Sequence, residues 1–320
     1  MMHIAILDDY QAAALDLADW RSLHPGAQIE AFDRHIADEA ELARRLHVFE
    51  AVVAMRERTP FPASLLARLP NLRLLITSGM RNAAIDVAAA AKHGVMVCGT
   101  DMLPYPTAEL TWGLILGLAR HIPHEDAAMR QGAWQTTLGI GLKGKTLGLL
   151  GLGRLGAQVA AVGKAFGMEV VAWSQNLTAE RATAAGAKLV DKAELLAAAD
   201  VLSIHLVLSP RTTGLVAAAD LARMKKSAFL VNTSRGPIVD EAALLQALQE
   251  KRIAGAAIDV YGTEPLPADH PFRRLTNVVM TPHLGYVTVE NYRLAYGQAL
   301  EDIAAFLAGT PIRVIAPAKS

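Results

Sequence analysis

Apolar residues along this chain fall into short runs separated by stretches of helical spacing, and the alternation continues almost to the end. Residues 3–7, 28–32, 51–55, 72–76 and 95–98 read as buried strands, with helical patterns over 38–46 and 62–69 between them. The segment 99–107 carries two prolines and reads as a crossover or hinge. Helical spacing then covers 108–121, and 132–143 reads as a loop. Further strands are predicted at 146–150, 168–173, 189–190, 201–206, 228–231, 256–260 and 278–280. Helices are predicted at 179–185, 192–198, 217–224 and 241–250, then a long one over 287–307, with an extended tail from Gly309. Strands that alternate with helices build parallel sheets covered on both faces.

The second half is organised around residues 145–173, KTLGLLGLGRLGAQVAAVGKAFGMEVVAW. Its first strand runs directly into Gly151-Leu152-Gly153-Arg154-Leu155-Gly156. Ala157, Ala160, Ala161 and Lys164 then recur at helical spacing up to Gly167, a helix stop. Between a strand and a helix each glycine has a physical task. Gly151 permits the tight turn, Gly153 lets the backbone approach a pyrophosphate, and Gly156 lets helix and strand pack closely. The helix N-terminus adds N–H groups and the positive end of its dipole. The expected fold is therefore α/β with two doubly wound parallel-sheet domains. A Rossmann dinucleotide-binding domain, 102–286, is inserted into a smaller flavodoxin-like substrate domain made of 1–101 and 287–320.

Composition narrows the class. Lys plus Arg and Asp plus Glu balance at 31 each, which gives no basic surface for nucleic acid or an anionic membrane. The single cysteine, Cys98, excludes an intrachain disulfide and fits a reducing compartment. The opening MMHIAILDDY is too short and acidic for a signal peptide, and no apolar stretch reaches the roughly 18 residues of a membrane span. A soluble cytoplasmic protein is expected. The ten histidines show no HxxxH spacing and there is no cysteine pair, so no metal site is expected.

Polar residues gather just past the predicted carboxyl ends of the later strands: Ser174, His205, Thr233-Ser234-Arg235, Asp259 with Glu264, and His283. In a doubly wound sheet those positions share one edge. His283 can exchange a proton near neutrality, Glu264 can hold its imidazole as a carboxylate partner, and Arg235 can grip a substrate carboxylate with two parallel hydrogen bonds. Beside a nicotinamide, the trio suits hydride transfer between NAD(P)H and a 2-oxo acid. In the first half, three polar loops follow predicted strands: Asp8-Asp9-Tyr10, Arg56-Glu57-Arg58-Thr59 and the run from Thr77 to Asn82.

GLGRLG, HLVLSPRTTGL from His205, LVNTSRGPIVDEAAL from Leu230, AIDVYGTEP and MTPHLGY together resemble the signature segments of the D-2-hydroxyacid dehydrogenases, in order and over most of the chain. The resemblance implies that Arg235, Glu264 and His283 are catalytic, with Arg235 and His283 also touching substrate. It implies cofactor contacts at Thr107, Gly151, Gly153, Arg154, Leu155, Gly156, Ser174, His205, Thr233, Ser234, Asp259 and Gly285. Ser78, Gly79 and Met80 would hold the substrate carboxylate through backbone N–H groups. Arg56 resembles an arginine that binds substrate phosphate in phosphoglycerate dehydrogenases. The family's dimers imply a homodimer through the dinucleotide domain, with the 108–121 helix as interface; Gly113 and Gly117 within it point to close packing of another element.

Two segments depart from the family pattern. Where an NAD site usually places an acid for the ribose 2′-hydroxyl, this chain has Trp173-Ser174-Gln175-Asn176, so NAD and NADP both stay open as cofactor. The loop TSGMRNAAID replaces a more glycine-rich form. Two other readings compete with the dehydrogenase. A formate dehydrogenase would pair its histidine with glutamine rather than Glu264, and a cofactor-sensing corepressor would show no turnover.

Overall fold

The predicted runs become strands because valine, leucine, isoleucine and alanine are buried on both faces of each sheet. The computed structural model describes residues 1–23 and 25–317. It divides the chain into two units, Met1–Leu103 with Val287–Ser320, and Pro104–Tyr286.

The first unit holds β1 (Met2–Ile6), β2 (Ala27–Ala31), β3 (Ala51–Ala54), β4 (Leu74–Thr77) and β5 (Met96–Gly99). Its helices are α1 (Glu39–Leu46), α2 (Ala63–Leu66), α3 (Val87–Lys92) and the C-terminal helix Val289–Leu307. The five strands pair in parallel in the order β2-β1-β3-β4-β5, the flavodoxin-like order, with its switch point between β1 and β3. Thr288 caps the C-terminal helix by accepting from Asn291 N, so the helix starts two residues later than the spacing predicts. Beyond it, Val314 bridges antiparallel to Cys98; residues 318–320 of the predicted extended tail lie outside the described residues. Helix α3 escaped the sequence pattern because Val87-Ala-Ala-Ala-Ala-Lys92 gives no apolar–polar contrast to read.

That tail is tied down by one arginine. Arg313 donates to the Asp302 carboxylate (Nε–Oδ1 2.9 Å), to Glu301 (2.7 Å) and to Gln298 O (2.9 Å). The Asp302 side chain is fully buried, and burial pushes its carboxyl up to about 6 against the pull of Arg313. A carboxyl raised on folding opposes stability above pH 6, and that opposition fades as pH falls through 6 towards the unfolded value. Arg313→Ala leaves the buried charge unpaired and is expected to cost about 3 kcal/mol at pH 8. At pH 5 the acid is protonated and the loss shrinks. Urea midpoints at the two pH values check this; an equal loss at both would refute it.

The second unit carries β6 (Thr146–Leu150), β7 (Glu169–Trp173), β8 (Lys188–Leu189), β9 (Val201–Ile204), β10 (Phe229–Asn232), β11 (Gly255–Ile258) and β12 (Val278–Met280). All seven run parallel in the order β12-β11-β10-β9-β6-β7-β8, which reverses between β6 and β9. One core lies on each face of this sheet, around Leu147, Leu149 and Val159 on one side and Leu150, Leu202 and Leu230 on the other. Its helices are α4 (Pro106–Ala119), α5 (Ile122–Arg130), α6 (Arg154–Ala165), α7 (Ala179–Ala184), α8 (Lys192–Ala198), α9 (Ala218–Leu221) and α10 (Glu241–Gln249). The predicted 108–121 helix stops at Ala119, because His121 is left-handed (φ 53°) and Pro123 restarts the chain as α5. Helix α5 was not predicted, for it buries no residue of its own and so shows no core-facing stripe. No described helix is long and apolar enough to cross a membrane.

Candidate active site

In the second unit the chemistry begins at the switch point. Gly151 closes the turn after β6 with φ 100°, and a Cβ there would stand 2.5 Å from His205 O. A Cβ on Gly156 would stand 2.3 Å from Gly151 O, whereas Gly153 faces open space. No side chain caps α6 at Gly153, which leaves its first N–H groups and the positive dipole end to a phosphate. The turn therefore fits a pyrophosphate. Arg154 is exposed and Leu155 half-buried at the first turn of α6, and Ser174 directly follows β7. His205 follows β9, where burial pushes its imidazole down to about 4 and Ser203 Oγ lies 2.9 Å from Nε2. It is uncharged at neutral pH.

Parallel strands place the remaining residues along the same edge. After β10, the Thr233 hydroxyl lies 2.8 Å from that of Thr111 on α4, and Ser234 Oγ donates to Leu206 O. Asn232 Nδ2 donates to Arg235 O at 3.0 Å, while the Arg235 guanidinium donates to Ser234 O at 2.8 Å. Next in the chain, Gly236 passes so close to Tyr261 that a Cβ would stand 2.2 Å from its carbonyl. That approach joins the loop carrying Arg235 to the loop carrying Glu264.

Glu264 joins two loops in turn. Its Oε1 accepts from Tyr261 N at 2.9 Å, and its Oε2 lies 2.6 Å from His283 Nδ1. His283 adopts a left-handed backbone (φ 55°), and its ring meets Tyr286 edge-on at 5.5 Å. Asp259 holds this turn: its carboxylate accepts from the Thr281 hydroxyl (2.6 Å), Leu284 N (2.7 Å) and Gly285 N (2.9 Å). Burial pushes the Asp259 carboxyl up, against the pull of those donors and of nearby His283. Thr107, on the first turn of α4, donates to Gly285 O at 2.8 Å. Sequence reasoning placed Asp259 at the cofactor; its hold on the His283 turn depends on register between β11 and β12, which the sequence alone does not give.

The other expected residues belong to the first unit. Arg56 follows β3 with φ 53°, and its N–H donates to Ser78 Oγ at 2.9 Å. Ser78, Gly79 and Met80 follow β4. The Ser78 amide already donates to Ala54 O (3.1 Å) and that of Gly79 to Thr100 Oγ1 (3.2 Å). Both amides are thus engaged within the unit. At the β1/β3 switch point, buried Asp8 accepts from the Thr59 hydroxyl at 2.6 Å and lies 3.0 Å from His35 Nδ1. Among the described residues, no cluster of His, Cys, Asp and Glu could hold a metal ion.

Sheet order, glycine turn and the edge that carries them define a dinucleotide-binding α/β protein. The chain belongs to the D-isomer specific 2-hydroxyacid dehydrogenases: the NAD binding domain of that family matches residues 112–285. It is 41% identical over 255 residues to a glyoxylate reductase of Aeropyrum pernix, covering 77% of this chain and 76% of that protein. It is 39% identical to a D-3-phosphoglycerate dehydrogenase of Archaeoglobus fulgidus over 85% of this chain and 52% of that one, so it spans about half of that relative. A phosphoglycerate oxidoreductase structure from Vibrio cholerae superposes with a TM-score of 0.92 at 40% identity, covering 97% of this chain and 100% of that chain. This chain is accordingly a nicotinamide-dinucleotide-dependent oxidoreductase of the 2-hydroxyacid class.

Proposed function

We propose that this enzyme interconverts a small 2-oxo acid and its D-2-hydroxy acid, most simply glyoxylate or hydroxypyruvate, with His283 as acid–base. The observation that carries the reading is the 2.6 Å His283–Glu264 pair on the sheet edge that also bears Arg235. Arg235 grips the substrate carboxylate and polarises the carbonyl. Glu264 takes Nδ1 of His283, so the proton passes through Nε2 to the carbonyl oxygen as it becomes a hydroxyl. The bound dinucleotide supplies the hydride. Asp259 and Thr107 hold the turn that aims the imidazole, and the same reading assigns Arg56, Ser78, Gly79 and Met80 to substrate binding. Loss of nicotinamide absorbance with glyoxylate, hydroxypyruvate, phosphohydroxypyruvate, pyruvate and a branched 2-oxo acid tests it. Turnover with none of them, while dinucleotide still binds, would sink it in favour of a sensor.

The pair makes a kinetic prediction. Glu264→Gln keeps a hydrogen-bonding group beside Nδ1 but removes the carboxylate that balances the imidazole as it handles the proton, so kcat for reduction should fall about tenfold with dinucleotide affinity unchanged. An unchanged kcat would break the pairing.

We also infer a homodimer built through the second unit. Helix α5 buries nothing, Trp134 and Leu138 are 74% and 93% exposed, and Gly113 has nothing within 4 Å of where a Cβ would stand. A second copy is the simplest cover for such a face. Trp134→Asp should convert the dimer to monomer in sedimentation velocity; a wild-type chain that sediments as a monomer would overturn the inference.

A further inference from the structure

The turn after β7 is fixed by two backbone hydrogen bonds. Gly151 N donates to Trp173 O at 2.9 Å, which ties the glycine turn to the residue just before Ser174. Leu177 N then closes back on Ser174 O at 3.0 Å, leaving Gln175 and Asn176 exposed at the tip. In a doubly wound dinucleotide site the end of this strand meets the adenosine ribose. A carboxylate there would chelate the 2′- and 3′-hydroxyls and repel a 2′-phosphate. This chain puts a hydroxyl and two amide side chains there instead, all able to donate to a phosphate oxygen.

A cation stands beside them. Arg181, on α7, folds back over the turn, with its guanidinium 3.5 Å from Asn176 O. A contact that long is weak, so the exposed guanidinium gives it up at little cost to an anion. The one carboxylate in the stretch 174–182 is Glu180, which is held by the Thr178 hydroxyl and its own backbone N–H.

We propose that the turn Ser174–Leu177 with Arg181 is a 2′-phosphate site, and that the enzyme binds NADP(H) in preference to NAD(H). This rests on the dinucleotide reading above and deepens it. Ser174, Gln175 and Asn176 donate hydrogen bonds to the phosphate, and Arg181 supplies the opposing charge.

The test is binding rather than turnover. Nicotinamide fluorescence titrations with NADPH and NADH, at low and high salt, read the two affinities directly. NADPH should bind roughly tenfold tighter at low salt, the size of one charge-assisted hydrogen bond, with the ratio falling as salt rises. Arg181→Ala should weaken NADPH alone, and Ser174→Asp should reverse the preference. NADH binding as tightly as NADPH, or Arg181→Ala weakening both alike, would overturn the proposal while leaving the reaction class standing. Failure of both nucleotides to bind would instead refute the dinucleotide reading itself.

Discussion

Replacing His283 with alanine is expected to lower kcat about a thousandfold, the range of a lost general acid, while dinucleotide affinity stays unchanged. The imidazole sits at the end of a chain of fixed groups. Asp259 holds the Leu284 and Gly285 amides, Glu264 holds Nδ1, and Tyr261 N holds Glu264. The ring is therefore positioned before substrate arrives, and removing it leaves nothing of matched acidity at that place. One complication is the left-handed backbone at 283, which alanine tolerates less well than histidine. His283→Asn separates the two effects, since asparagine accepts that conformation but cannot act as a general acid. Equal inactivation of both variants, measured with stopped-flow reduction and nucleotide titration, supports the assignment. Substantial turnover by the asparagine variant would refute it.

The edge of the second sheet was legible in the sequence because it needs only two kinds of signal. Strand runs locate the carboxyl ends, and polar residues just beyond them stand out against an apolar background; His205, Arg235, Asp259 and His283 were all found that way. The glycine turn marks β6, beside which the observed order reverses, but the order of the other strands is seen only in the fold. What the sequence withheld is contact between loops. That Gly236 lies against Tyr261, or that Asp259 grips the amides after His283, depends on register between strands that are distant in the chain. The Ser78 and Gly79 amides show the same limit from the other side. Their loop was recognised, but their engagement with Ala54 and Thr100 is visible only in the fold. Helix α5 was unreadable for a different reason: a helix with no buried side chain in its own chain has no periodicity to detect.

Arg235→Lys should also be strongly damaging, although it preserves the charge. The arginine stands between β10 and the short helix Gly236–Ile238, with its carbonyl fixed by Asn232 and its guanidinium braced on Ser234 O. That brace sets the plane of the fork, and a planar fork can offer two parallel N–H groups to a carboxylate. Lysine offers a rotating point charge on a more flexible stem, so one bond and the orientation are lost together. The loss of one charged hydrogen bond, about 2–3 kcal/mol, lowers kcat/KM by on the order of a hundredfold. The proposed role has the same group polarise the carbonyl, so kcat should fall as well as KM rise. A change in KM alone would leave Arg235 as a binding residue and remove it from the reacting centre, whereas normal kinetics would remove it from the site.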